Sequence, residues 1–399
     1  MKKSLKISID SVILCFLYFL FYTSLPYFNM HTTFKYVAIA VIAVYLFPKY
    51  KYFLNKDYLY VNIFLLLFVA ATVFASYTNR SFITSRDTFL TSILFSISLI
   101  ECFFVMEYEA KKGNIKKVIK IFYYISLLLT FITDVLVFVI GEVDGYYLNG
   151  TKFQVVYLHI LLIALLFVRY KQGEMIRQKF HFALVFFAIL SIIIGVYVDC
   201  NTGVIGMFLF FIFNFLISKF PRFFKNPFAY IGVLLLSCSF VFLYEAVLNN
   251  SLVQKFVVDV LDRSLTLTGR TNIYIALPMV LLNKLWTGYG YGSSYEISMG
   301  NYGYANTQNG LADWVLQIGV IGTTLLLIFI LTVLYCGRKT LKKSSAGNSV
   351  LAFLYALAIL ASVEITLNQF FFGALAVIFA LSVEKNKVRT VKRLKNNHC

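Results

Sequence analysis

Leu267-Thr-Gly-Arg-Thr-Asn-Ile-Tyr274 and Gly288-Tyr-Gly-Tyr-Gly292 belong to one long stretch, about Asn249 to Asn309, that is too polar to cross a membrane and too apolar to be a mere linker. Its reading decides the fold, because nearly everything around it consists of apolar runs joined by short polar segments. A bilayer core takes about 17–25 apolar residues per helical crossing, and such runs recur along the chain. If they alternate sides, 28 of the 36 Lys and Arg fall on one face, as the positive-inside rule requires. The other eight are Lys35, Arg80, Arg86, Lys152, Lys255, Arg263, Arg270 and Lys284, and four of these lie in the long stretch itself. Basic residues kept on the face that topology normally depletes point to an anionic ligand there.

The composition agrees. A chain of 399 residues that is 60% hydrophobic, 18% aromatic and 14% charged is not a soluble globular protein. The net charge of +18 would suggest nucleic acid in a soluble chain. Here the cations sit in brief clusters between apolar runs, which fits anionic lipid and excludes nucleic acid as the partner. Cys15, Cys102, Cys200, Cys238, Cys336 and Cys399 are scattered without a CxxC pair, and the four His lie far apart. Neither a disulfide framework, a metal site nor a cofactor is indicated.

The spacing predicts an all-α polytopic membrane protein with twelve spans, near 8–25, 34–47, 58–76, 88–106, 118–140, 153–169, 181–198, 202–218, 228–246, 311–336, 350–366 and 369–383. Every second connection is rich in Lys or Arg, which puts both termini inside. Lys2, Lys3 and Lys6 precede the first run as in a signal peptide, but no small-residue cleavage site follows, so an uncleaved span is expected. The organisation is then a nine-span bundle (1–246), a large outer loop (247–310) and a three-span bundle with a basic tail (311–399). Within the loop, Val253–Leu261 and Tyr274–Leu285 are expected as short surface helices, and the Gly288–Gly292 run as irregular backbone. No internal repeat is visible, which weakens a transporter reading.

Among residues able to carry chemistry, Arg270 opens an amphipathic segment, and its planar guanidinium suits phosphate oxygens. The same residue could simply meet lipid headgroups. Arg263 lies seven residues earlier, with Thr268-Gly269 interrupting any common helix. Arg80 and Arg86 share a short outer loop, where Arg86 could pair with Asp87. Glu364, Asp313 and Asp199 are carboxylates near span ends. Such groups are costly in a bilayer and usually face a cavity, although each is close enough to an end to reach water.

Taken in order, Gly269-Arg270, Pro278, Gly288-x-Gly290-x-Gly292, Gln308-Asn309 and Gly319-x-x-Gly322 resemble the signature of the O-antigen ligase and polysaccharide polymerase superfamily. The layout, with one large outer loop before the last three spans, is similar too. Two departures matter: Gln308 stands where ligases carry His, and Asn201-Thr202-Gly203 stands where many members carry Ser-Arg-Gly. Gln can position a hydroxyl but cannot take its proton, which favours the polymerase branch.

That resemblance implies a metal-independent membrane glycosyltransferase. It would join polyprenyl-diphosphate-linked oligosaccharide units into a capsular or O-antigen-type polysaccharide on the outer face of a bacterial cytoplasmic membrane. Arg270, with Arg263, Arg86 or Arg80, would neutralise the diphosphate. Gln308 and Asn309 would shape the acceptor side, and Glu364 or Asp313 would serve as base. Gly288, Gly290, Gly292, Gly319 and Gly322 would shape the loop, and Tyr274, Trp286, Tyr289, Tyr291, Tyr295, Tyr302 and Tyr304 could stack on sugars or form an interfacial belt. Partners would include membrane lipids and other capsule-assembly proteins such as a flippase and a chain-length regulator. The competing readings are a ligase transferring finished glycan, and a flippase for the lipid-linked unit.

Overall fold

The computed structural model describes residues 8–26, 31–81, 87–239, 270–343 and 345–396. Among these the chain is helical, with two isolated β-bridges in the 143–150 turn. The main helices are α1 (Ile9–Tyr22), α2 (His31–Leu46), α3 (Leu59–Thr78), α4 (Thr88–Lys112), α5 (Ile115–Val139), α6 (Lys152–Lys171) and α7 (Arg177–Tyr197). They continue with α8 (Asn201–Lys219), α9 (Pro227–Cys238), α10 (Arg270–Asn283), α11 (Ser294–Tyr302), α12 (Gly310–Lys343), α13 (Asn348–Leu360) and α14 (Gln369–Asn396). A helix falls in each of the twelve ranges read from the sequence. Eight of the described helices are long and apolar enough to cross a membrane, and α1, α9, α13 and the apolar part of α14 are shorter apolar helices. The segment expected as a helix at Val253–Leu261 lies outside the described residues.

The helices sort by what surrounds them rather than by how apolar they are. In α13 every residue but Ile359 is buried, and α6 and the apolar part of α14 are nearly as enclosed. A helix apolar all round is stable only when buried or in lipid. α13 packs on α6, α8, α9 and α14, whereas α12 lies along α3 and also meets α9 and α14. The reverse holds for α7, where Phe182, Val185, Ile189, Ile193 and Val196 all point outward, Phe182 at 77% exposure. Water does not tolerate so continuous an apolar exterior, but hydrocarbon requires it. The architecture is that of a polytopic helical membrane protein.

The bundle has two chemically different ends. At one, Lys112 Nζ meets Asp10 Oδ2 at 2.7 Å, Lys117 Nζ donates to Ser8 Oγ at 2.6 Å and Lys111 Nζ to the Tyr52 carbonyl at 2.7 Å. We call this the basic end. At the other end lie the C-termini of α1, α3, α9 and α13, the N-termini of α2, α4, α12 and α14, and the Gly288–Gly292 loop, which gives the loop end its name.

Candidate functional site at the loop end

The loop end is organised by a helix that breaks. Within α12, Gly319 adopts φ 68° and ψ −179°, a backbone conformation essentially restricted to glycine. A Cβ at Gly319 would fall 2.2 Å from the Trp286 carbonyl oxygen, and one at Gly288 (φ 67°) would fall 2.5 Å from the Gln317 carbonyl. Two backbones are therefore pressed directly together. The amides of Tyr289 and Gly290 donate to the carbonyls of Leu316 and Gln317, each at 2.8 Å, and the Val320 amide donates to the Leu285 carbonyl at 2.8 Å. A helix broken inside a bilayer leaves polar groups that must find new partners. The glycine loop supplies them. The Gly319-x-x-Gly322 pair, which resembles a helical motif, thus contains the interruption itself; at Gly322 an added Cβ would meet the Ile318 side chain at 2.8 Å.

Side chains extend this brace in both directions. Gly292 N–H donates to Gln317 Oε1 at 2.7 Å, and Gln317 Nε2 donates to Asp313 Oδ2 at 2.6 Å, while Ser294 Oγ donates to Asp313 Oδ1. Both Asp313 oxygens are therefore engaged in holding the loop. On the far side, Asn79 Nδ2 donates to the Gly288 carbonyl at 3.0 Å and the Tyr291 amide donates to Ser76 Oγ at 2.9 Å, tying in the end of α3. Its neighbour Arg80 is exposed, with its guanidinium 4.7 Å from the centre of the Tyr77 ring.

Asn309 is fully buried and joins three elements. Its Oδ1 accepts from the Leu311 and Ala312 amides at 3.2 and 3.0 Å, capping α12. Its Nδ2 donates to the Cys238 carbonyl at the end of α9 at 2.8 Å. Gln308, before it, is half-buried at φ 53°. The next amide, Gly310 N–H, donates to the Ala361 carbonyl at 2.7 Å, just past α13. That helix ends at Leu360, so Glu364 lies on the following turn, buried, rather than inside a helix. Glu364 is an electrostatic neighbour of Tyr157 and Cys200.

Arg270 is the first residue of α10, whose Ile273, Tyr274 and Leu277 pack with Ile297 of α11 and Ala312 and Leu316 of α12. Arg86 and Arg263 lie outside the described residues. The structure thus gathers Arg80, Gly288, Gly290, Gly292, Gln308, Asn309, Asp313, Gly319 and the Glu364 turn at one end. Asp199 lies exposed in the α7–α8 turn beside Cys200, where Lys152 Nζ donates to its carbonyl at 2.9 Å.

Three features escaped the sequence reading. The first is a cavity of about 560 Å³ at the loop end, between α1, α2 and α4, lined by Lys35, Asp87, Thr91, Ser98, Tyr291 and Gln369 among others. Tyr291, from the glycine loop, forms one wall and stacks on Phe95 at 4.5 Å. Lys35 counts among the eight off-pattern cations, but nothing in the sequence links it to Tyr291. The second is a buried pair inside the bundle, His159 Nε2 to Asp134 Oδ1 at 3.0 Å. The third is Glu101, midway along α4, 4% exposed and with neither carboxyl oxygen hydrogen-bonded to a described residue.

No protein-family model and no curated protein matches this chain.

Proposed function

We propose that this protein is a polysaccharide polymerase of the O-antigen ligase and polymerase kind. In this reading it has twelve spans with both termini in the cytoplasm, and the loop end faces outward from a bacterial cytoplasmic membrane. It joins polyprenyl-diphosphate-linked oligosaccharide repeat units. One observation carries the reading: Gly288, Gly290, Asn309 and Gly319, which bear the resemblance in sequence, meet at one end of the bundle in a single hydrogen-bonded assembly.

In this reading each role falls to a residue that bears the resemblance or carries suitable chemistry. Outside the membrane there is no nucleotide sugar, so the energy for glycosidic bond formation comes from the lipid diphosphate bond. The leaving diphosphate needs charge neutralisation more than a proton, and arginine supplies that. Arg270 has this role, with Arg80, Arg86 and Arg263 as further donors. Asn309 spends both side-chain groups on structure and therefore positions Gln308, which faces the acceptor. Glu364 or Asp313 is the carboxylate assigned to accept the acceptor hydroxyl's proton.

The test compares native protein with Arg270→Ala at equal membrane abundance, in cells producing the cognate glycan, resolving lipid-linked glycans by size and by membrane face. Single units accumulating on the outer face without long chains support a polymerase. Units trapped inside indicate a flippase, long chains left on lipid indicate a ligase, and an unchanged profile removes Arg270 from the site.

A further inference from the structure

α5 carries a line of polar residues on its inner face. Its buried residues recur at three- and four-residue spacing, and Ser126, Thr130, Thr133 and Asp134 all belong to that stripe, while Phe131, Ile132, Val135 and Phe138 point outward. The stripe packs on α6 and α1. Ser126 Oγ meets the Tyr18 hydroxyl of α1 at 2.7 Å. Two turns nearer the loop end, Asp134 Oδ1 accepts from His159 Nε2 of α6 at 3.0 Å. Asp134 lies near the end of α5 and His159 near the start of α6. At 1.5 Å per residue, both helices place the pair about 8–10 Å below the loop end.

Buried hydroxyls elsewhere in the bundle close on their own helix. Thr72 donates to the Phe68 carbonyl at 3.0 Å, Ser76 to the Thr72 carbonyl at 3.0 Å and Thr323 to the Gly319 carbonyl at 2.7 Å. Thr130 and Thr133 do not. Both are buried, and neither Oγ1 has a hydrogen-bond partner among the described residues. Asp134 Oδ2 and His159 Nδ1 are also buried and without one there. Buried polar atoms are nearly always satisfied. Here three open oxygens fall within a single turn of α5, beside the histidine that holds one of the residues.

We infer that Thr130, Thr133 and Asp134 bind an alkali-metal cation, with His159 holding the carboxylate in place. Residues three and four apart share a helix face, so two hydroxyls and a carboxylate oxygen are presented to the interior together. Oxygens are the donors that hard cations take. Water could satisfy the hydroxyls but not the charge of the carboxylate, which among the described residues has only His159 as an ion-pair partner. Two observations limit the charge of the cation. No group of three or more His, Cys, Asp or Glu able to hold a metal ion occurs among the described residues, and one carboxylate balances one positive charge. A divalent ion would leave net charge buried in the bundle, which is strongly unfavourable. The site stands apart from glycan transfer, because α5 and α6 pack chiefly on each other and on α1, α7, α8 and α13, away from the Gly288–Gly319 brace.

The experiment uses the full-length protein in nanodiscs, exchanged into choline chloride. Sodium, potassium and lithium chloride then each replace choline at constant ionic strength while the thermal midpoint is followed. Radioactive sodium, counted on the immobilised nanodiscs, measures binding directly. A saturable rise of several degrees with at least one alkali cation is expected, with bound label displaced by alkali salt and not by choline. Asp134→Asn should abolish both signals. Thr130→Val and Thr133→Val keep the side-chain shape and remove only the oxygen, and each should raise the half-saturating concentration about tenfold. His159→Gln, which retains an N–H to donate to Asp134, should bind within a few-fold of native, whereas His159→Leu should bind far more weakly.

Each reading is a difference between alkali cation and choline within one variant, so a general loss of stability does not imitate it. Should Asp134→Asn fail to fold, the two valine variants decide. A native midpoint that responds alike to all four chlorides, with no displaceable label, overturns the inference. Binding that persists undiminished in Asp134→Asn, or in both valine variants, overturns it as well, since the cation then lies elsewhere.

Discussion

The two ends of this bundle solve the same problem, tying helices together where the hydrocarbon stops, in opposite ways. At the basic end the ties are long side chains. Asp10 takes the Tyr45 hydroxyl at 2.7 Å and Lys112 at 2.7 Å, and Lys49 lies 3.3 Å from the centre of the Tyr45 ring. At the loop end side-chain hydrogen bonds are joined by backbone-on-backbone contact, with glycines at the two closest approaches. Flexible ion pairs at a wet surface are exchangeable and individually weak. Backbone contact admits no adjustment. A protein that pays for such rigidity at one end only has its geometric requirement there.

The most severe way to test this contrast is Gly319→Ala. It forces a Cβ into a left-handed position 2.2 Å from the Trp286 carbonyl, and strain plus overpacking should cost about 3–5 kcal/mol. A large fall in thermal midpoint in nanodiscs is the expected reading; a midpoint within a degree or two of native would mean that the loop is not braced by α12.

Next comes Glu364→Gln, which asks whether the rigid end serves chemistry. Chain elongation should fall roughly a hundredfold or more, as for loss of a general base, with the thermal midpoint unchanged. Full elongation would exclude Glu364 as the base.

Asp313→Ala should cost less than Gly319→Ala, about 1–3 kcal/mol, because Ser294 and Gln317 lose an acceptor in a buried setting. Protease accessibility of the 288–294 segment is the measurement, and native-like protection would show the brace to be backbone alone.

The smallest effect belongs to the basic end. Lys112→Ala removes a pair whose side chains are 36% and 23% exposed, so less than about 1 kcal/mol is expected. Were it to match Gly319→Ala in the same thermal assay, the contrast between the ends would be broken.

The positions of the helices were legible in the sequence because apolar run length is a local property, and so was the glycine loop, since no regular helix accommodates Gly288-Tyr-Gly-Tyr-Gly292. Which helices are innermost was not legible. α7 and α13 are both apolar on all faces, and only their neighbours decide that one meets the exterior and the other the core. The break at Gly319 was hidden for the same reason, because one glycine in an apolar run looks like a packing glycine until a second backbone is found against it. Lys35, Glu101 and the Asp134–His159 pair were invisible as a group. Their meaning lies in neighbours that are distant along the chain.

The interlock between the Gly288–Gly292 loop and α12 also sets an order of assembly. The carbonyls that receive the loop's amides belong to residues made after it, and the buried face of α12 in turn rests on α14, made later still. While synthesis is under way, α3 and α4 must wait in the bilayer with lipid against the surfaces those helices will occupy. The loop end therefore becomes a single object late, after most of the chain has entered the membrane.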